Sequence, residues 1–362
     1  MGAETDLPAR LSGIEVCRGL AATLVVLYHC ARHVDRAVGA PVLRSMLQFG
    51  HVGVDFFFVV SGAIILLVHY ADLGIPARLR RYVSRRFTRL MPTYWAALAL
   101  TLCTDLAGSH GAAALGNLPW SITLMPSNHE LILGVAWTLR FEILFYAVFA
   151  VLIASRRAGL FLLAIWLSFV TATFTFSLNV HWLPDQFHSL YCLEFFFGMA
   201  VAYLLRNTRI PRPGAVLALG VTLLGAAAAL ENAGVLNGDG NIARIAYGIP
   251  SSLVIVGLVA LERRTSFRLP RILETLGTAS YAIYLFQFIF IGLAWQALQH
   301  GQLSQHLSST ELFILLSFCA MAGGVAASAW IEQPLIRLAR SQSGDILLRL
   351  TSRPASARDR TH

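Results

Sequence analysis

The chain of 362 residues is 56% apolar and only 13% charged, about half the charged fraction of an ordinary soluble domain. Its net charge of +9 is carried by 28 basic residues, all of them arginine, which excludes lysine chemistry such as Schiff bases, pyridoxal phosphate and Walker A phosphate loops. With a mean hydropathy of +0.64, most of the chain must be dissolved in lipid, and arginines held in short loops between apolar runs speak for topology and anionic lipid rather than nucleic acid.

In chain order, apolar runs predict spans at 15–37, 52–70, 92–108, 131–153, 158–178, 188–205, 214–231, 244–261, 276–298 and 312–332, each near the length of about 20 residues that crosses the hydrocarbon. The expected fold is therefore all-α: a polytopic membrane bundle of about ten helices over residues 1–336, followed by a basic, disordered cytoplasmic tail at 337–362. The first run carries Arg18, His29 and Arg32 without a convincing cleavage site, so no cleaved signal peptide is expected. Loops after the even-numbered spans hold Arg78, Arg80, Arg81, Arg85, Arg86, Arg89, Arg156, Arg157, Arg206, Arg209, Arg212, Arg263, Arg264, Arg268 and Arg271, against at most Arg32, Arg36, Arg44 and Arg244, the last on the border of a span, after the odd-numbered ones. This alternation predicts cytoplasmic loops on the first set and cytoplasmic termini. There is no internal repeat of the kind many transporters carry.

Ionisable side chains inside the spans each need a reason, because the bilayer penalises them by several kcal/mol. Arg18 and His29, eleven residues apart, share one helix face about 16 Å apart along the axis. Two readings stand: Arg18 snorkels and His29 ties its helix to a neighbour, or Arg18 holds a phosphate and His29 does chemistry at mid-membrane. His51 and Asp55 are spaced to pair, and the glycines around them admit close helix contact. Thr138, Glu142 and Tyr146 share a face, whereas Arg140 points elsewhere and is expected to find Glu194 or Asp55 on another helix. The run from Arg85 to Arg89 before Pro92 is either a topology signal or a grip for a polyanion. The five cysteines follow no metal or redox spacing. No Gly-x-Ser-x-Gly elbow, zinc pair, dinucleotide turn or His-x4-Asp acyltransferase pair occurs, and no metal site is expected.

These residues resemble the acyltransferase 3 family of membrane O-acyltransferases, especially its exopolysaccharide-acetylating branch. The likeness lies in Arg18-x10-His29, in Gly50 to Gly62, in Arg86-x-x-Arg89 before Pro92, in Trp137 to Tyr146, in Gly277 to Phe286, and in Glu332-Gln333-Pro334. Gln287 stands where the family commonly has His, and Ala63 where it has Phe. The resemblance implies an acyl-CoA donor, acetyl-CoA being the expected one, and a hydroxyl of an exopolysaccharide or its lipid-linked precursor as acceptor. It further implies a multi-pass protein of the bacterial inner membrane. On that reading His29 is the general base or a transient acyl acceptor. Arg18, Arg86 and Arg89 hold the CoA phosphates, and Asp55 or Glu142 orients His29. Two alternatives remain at this point: acylation of a small secreted metabolite such as a macrolide sugar, and a non-enzymatic transporter or flippase.

Overall fold

The computed structural model describes residues 12–107, 111–265 and 270–341. Twelve helices follow in order: α1 (Ser12–Val38), the short α2 (Pro41–Met46), α3 (Val52–His69), α4 (Leu79–Ala107), α5 (Gly111–Thr123) and α6 (Trp137–Ala154). After them come α7 (Arg156–Thr175), α8 (Tyr191–Asn207), α9 (Pro213–Asn232), α10 (Asn241–Glu262), α11 (Arg271–His300) and α12 (Ser309–Ala327). Among the described residues there is no strand, and nine helical segments are long and apolar enough to cross a membrane.

The third expected span, 92–108, is the far half of α4, which begins at Leu79 instead. At 29 residues this helix is about 43 Å long, the thickness of a bilayer with its headgroups. Its first turns carry the arginines expected in a loop, so the basic segment is helical. α5 folds back along α4, held by Tyr94 Oη to Ser121 O at 2.5 Å and Trp95 Nε1 to Ile122 O at 3.0 Å. The last helix passes through a π-segment at Ser328–Glu332 and continues to residue 341. Residues 342–362 and Arg268 lie outside the described residues.

α1 packs on α11, α3 and α12, and α3 packs on α8. Glycines bring these axes together. A methyl on Gly19 would lie 2.7 Å from Gly277 N, and methyls on Gly62 and Gly198 would overlap the backbones of α8 and α3. Without water to drive burial, such close backbone approach is what associates helices in lipid.

The arginine-bearing helix ends gather at one end of the bundle. Ser12 N donates to Glu262 Oε1 at 2.8 Å, and Arg263 Nη1 donates to Leu205 O at 2.7 Å. Arg206 lies 4.1 Å over the Tyr70 ring, and Gly74 N donates to Leu152 O at 3.1 Å beside Arg156. The opposite end is tied by His51 to Glu231 at 2.9 Å and Ser127 N to Gln186 Oε1 at 3.0 Å.

Candidate active site

Near the arginine-rich end, a cavity of about 540 Å³ opens among α1, α3, α4, α6 and α11. Arg18 of α1 and Arg86 and Arg89 of α4 line it, together with Glu142 and Tyr146 of α6 and Tyr281 and Tyr284 of α11. Val54, Phe57, Phe58, Ile65 and Leu139 supply its apolar wall. Thr138, Glu142 and Tyr146 all face it, as their helical spacing requires. Tyr146 Oη donates to Glu142.

Two of the three arginines keep their donors for something else. Arg86 is partly committed: its Nη2 meets His69 Nε2 at 2.9 Å, and its guanidinium lies 5.7 Å from the Tyr146 ring. Arg18 and Arg89 have no hydrogen-bond or ion-pair partner among the described residues, although Glu142 and Glu332 act on Arg18 electrostatically. Three guanidinium groups thus face one cavity, and two of them have no partner among the described residues, which concentrates positive charge there.

His29 lies outside this cavity, on the same face of α1 but about three turns further from the arginine-rich end. It lines a separate hollow of about 250 Å³ with Tyr28, Arg32, His33, Arg36, Phe288 and Ile291. Its ring meets Phe288 at 4.6 Å and Tyr28 at 5.0 Å. No described residue hydrogen-bonds its ring nitrogens; its contacts are these two rings. Tyr284 of the inner cavity and Phe288 of the outer hollow are one turn apart on α11, so the partition between them is about 6 Å of helix. Tyr284 Oη is fixed to Thr138 Oγ1 at 3.0 Å, and its ring packs on Phe57 at 5.9 Å.

Neither expected orienting carboxylate reaches His29. Asp55, fully buried, accepts from Arg244 Nη1 at 2.6 Å and stands 3.8 Å from His51 Nδ1. His51 in turn meets Glu231 at 2.9 Å, and Tyr247 Oη donates to Glu231 at 2.5 Å. Glu194 lies against Asp55 and Arg244 in the same buried cluster. This cluster ties α3, α8, α9 and α10 together. Arg244, at the border between a loop and a span in the sequence, is buried at the start of α10 and is the partner that makes Asp55 tolerable. Arg140, expected to pair with Glu194 or Asp55, instead donates through Nη1 to the carbonyls of Ser127 at 2.9 Å and His129 at 2.6 Å. A loop carbonyl serves a buried guanidinium without a second buried charge.

The family model of the acyltransferase 3 family, described as an acyltransferase domain, matches residues 11–333. The exopolysaccharide production protein ExoZ of Rhizobium meliloti (strain 1021) is 28% identical over 311 residues, covering 81% of this chain and 92% of that protein. No solved structure matches the chain. With the family model spanning nearly the whole helical bundle, the chain belongs to the acyltransferase 3 family and is a membrane-embedded acyltransferase.

Proposed function

We propose that the protein moves an acyl group, acetyl in the first instance, from acyl-CoA to a hydroxyl of an exopolysaccharide or its lipid-linked precursor. The observation that carries this reading is the division of α1: Arg18 faces a cavity rich in arginine, and His29 faces a separate hollow one helical partition away. Such an arrangement suits a donor and an acceptor that arrive from opposite sides. The positive-inside rule puts the arginine-rich end, and both termini, in the cytoplasm of an inner-membrane protein, where CoA is found. The similarity to ExoZ supports an exopolysaccharide acceptor over a small secreted metabolite.

Arg18, Arg86 and Arg89 hold the CoA phosphates, with the pantetheine arm along Phe57, Phe58 and Leu139 and the thioester directed at the Tyr284–Phe288 partition. The acceptor hydroxyl gives its proton to His29 as its oxygen attacks the thioester carbonyl. The tetrahedral adduct then collapses, an ester C–O bond is kept, the C–S bond breaks, and the CoA thiolate takes a proton. Direct transfer needs no acyl-enzyme, although His29 as a transient acyl acceptor gives the same products. Glu142, which accepts from Tyr146 Oη at the cavity wall, offsets part of the arginine charge.

The donor half of this reading is tested in nanodiscs by following acceptor-dependent release of CoA thiol. Arg86→Lys with Arg89→Lys keeps the positive charge that topology reads but loses the planar fork that grips phosphate. The expected result is normal insertion with the donor KM raised about tenfold, equivalent to about 1.4 kcal/mol of binding. An unchanged donor KM in the double variant removes these arginines from the donor site.

A further inference from the structure

A second large cavity, of about 1110 Å³, lies at the opposite end from the arginine cluster, between the 127–134 and 173–191 segments and the start of α6. Its wall combines the rings of Trp137, Phe141 and Tyr191 with the polar side chains of Asn128, Gln186 and Asn241. Trp137 and Tyr191 pack at 5.1 Å, giving a rigid aromatic surface beside hydrogen-bonding groups. This combination fits a sugar ring, which offers an apolar face and hydroxyl edges.

Arg140 lines the same cavity, is only 3% exposed, and is half satisfied. Its Nη1 serves the two loop carbonyls, whereas Nε and Nη2 have no partner; nor does the Oγ of Ser127, which is 7% exposed and whose carbonyl Arg140 holds. The paired Nε and Nη2 of a guanidinium are the edge that takes an oxyanion in bidentate fashion. The acids on the lining, Glu130 and Asp185, are both exposed, and Asp185 faces His188 at 3.5 Å. The two carbonyls serve one nitrogen only, and buried N–H groups left without an acceptor are costly unless a ligand completes them. The cavity also abuts the His29 hollow: a methyl on Gly134, in its lining, would lie 3.7 Å from Phe288, which packs on His29.

We propose that this cavity is the acceptor site and that it selects an anionic sugar, whose carboxylate or phosphate engages Arg140 Nε and Nη2 together with Ser127 Oγ. The proposal rests on the reading that the acceptor is a glycan hydroxyl, and it places that hydroxyl beside His29 by anchoring the neighbouring oxyanion.

The test is equilibrium binding to the full chain in nanodiscs, which requires no turnover. The probes are tetragalacturonate, its carboxyl-reduced counterpart and glucose 1-phosphate. The expected result is binding of an anionic probe at least about tenfold tighter than the reduced sugar. Arg140→Gln should abolish that preference, and Arg140→Lys and Ser127→Ala should each weaken it. Tighter tetragalacturonate assigns the ligand as a sugar carboxylate; tighter glucose 1-phosphate assigns it as a sugar phosphate. Equal binding of acid and reduced sugar, or a preference that survives Arg140→Gln, overturns the proposal. If Arg140→Gln does not fold, Arg140→Lys and Ser127→Ala decide instead: a preference undiminished in both overturns the proposal. An anion preference in a protein that acylates no glycan leaves this site standing and removes the proposed function instead.

Discussion

Replacing His29 with Gln is expected to lower acyl transfer by about 10²–10⁴-fold, the usual contribution of a positioned general base. Glutamine keeps much of the size and hydrogen bonding of the imidazole but takes up no proton at neutral pH. The variant should therefore insert and accumulate normally while its glycan stays unacylated. The surroundings of His29 make this a test of chemistry, because it packs on the rings of Tyr28 and Phe288 and no hydrogen bond among the described residues is lost. His33, one turn further out in the same hollow and packed on Trp295 at 5.2 Å, discriminates the position. A dead His33→Gln beside an active His29→Gln would move the base by one turn. Normal glycan acylation by both variants would leave the hollow without a catalytic role. Loss of the protein itself in His29→Gln would mark the histidine as a packing residue.

The second large effect is on stability. Arg244→Met is expected to destabilise the bundle by about 3–5 kcal/mol, because it leaves Asp55 buried without its cation. The measurement is thermal unfolding in a fixed detergent, with Asp55→Asn in the Arg244→Met background as the partner experiment. The double variant should recover much of the loss, since the uncompensated carboxylate is what costs most. Activity per folded molecule separates the two roles of Asp55. If Asp55→Asn retains activity once its folded fraction is counted, Asp55 is a fastener between α3 and α10. If it is folded and inactive, the carboxylate acts on the chemistry in spite of its distance from His29. An Arg244→Met protein as stable as the parent would show that the pair adds nothing to the fold.

Much of this was legible because membrane folding is governed by local rules. Hydropathy over a window of span length found the segments that became α1, α3 and α6 to α12, since a helix in lipid must satisfy its backbone within itself. The 3.6-residue period put Thr138, Glu142 and Tyr146 on one face, and that face lines the inner cavity. The start of α4 was not legible. Its arginines lower the hydropathy of the first turns, yet those turns remain helical because a helix can begin in the headgroup layer, where charge is tolerated.

Tertiary pairing was hidden for a different reason. Asp55 and Arg244 are 189 residues apart, and nothing near Arg244 in the sequence distinguishes a buried partner from a loop arginine. Its place at the border of loop and span left it undecided; a carboxylate on α3 draws it into the bundle. Arg140 shows the converse. Buried carboxylates elsewhere in the chain made an ion pair the natural expectation, but two carbonyls of the 127–129 segment lie closer. The partition between Arg18 and His29 was half legible: their shared face followed from spacing, while the Tyr284–Phe288 turn that separates their cavities belongs to α11.

The central claim is that the donor enters at the arginine-rich end and the acyl group leaves on the other side of the membrane. Inside-out vesicles carrying the protein and an acceptor glycan in their lumen test it most directly, with acyl-labelled acetyl-CoA added to the outer medium. The account predicts label in the luminal glycan, free CoA thiol in the medium in equal amount, and neither with His29→Gln. Label that reaches the glycan only when acetyl-CoA is enclosed in the lumen, or glycan acylation without release of CoA, would contradict it.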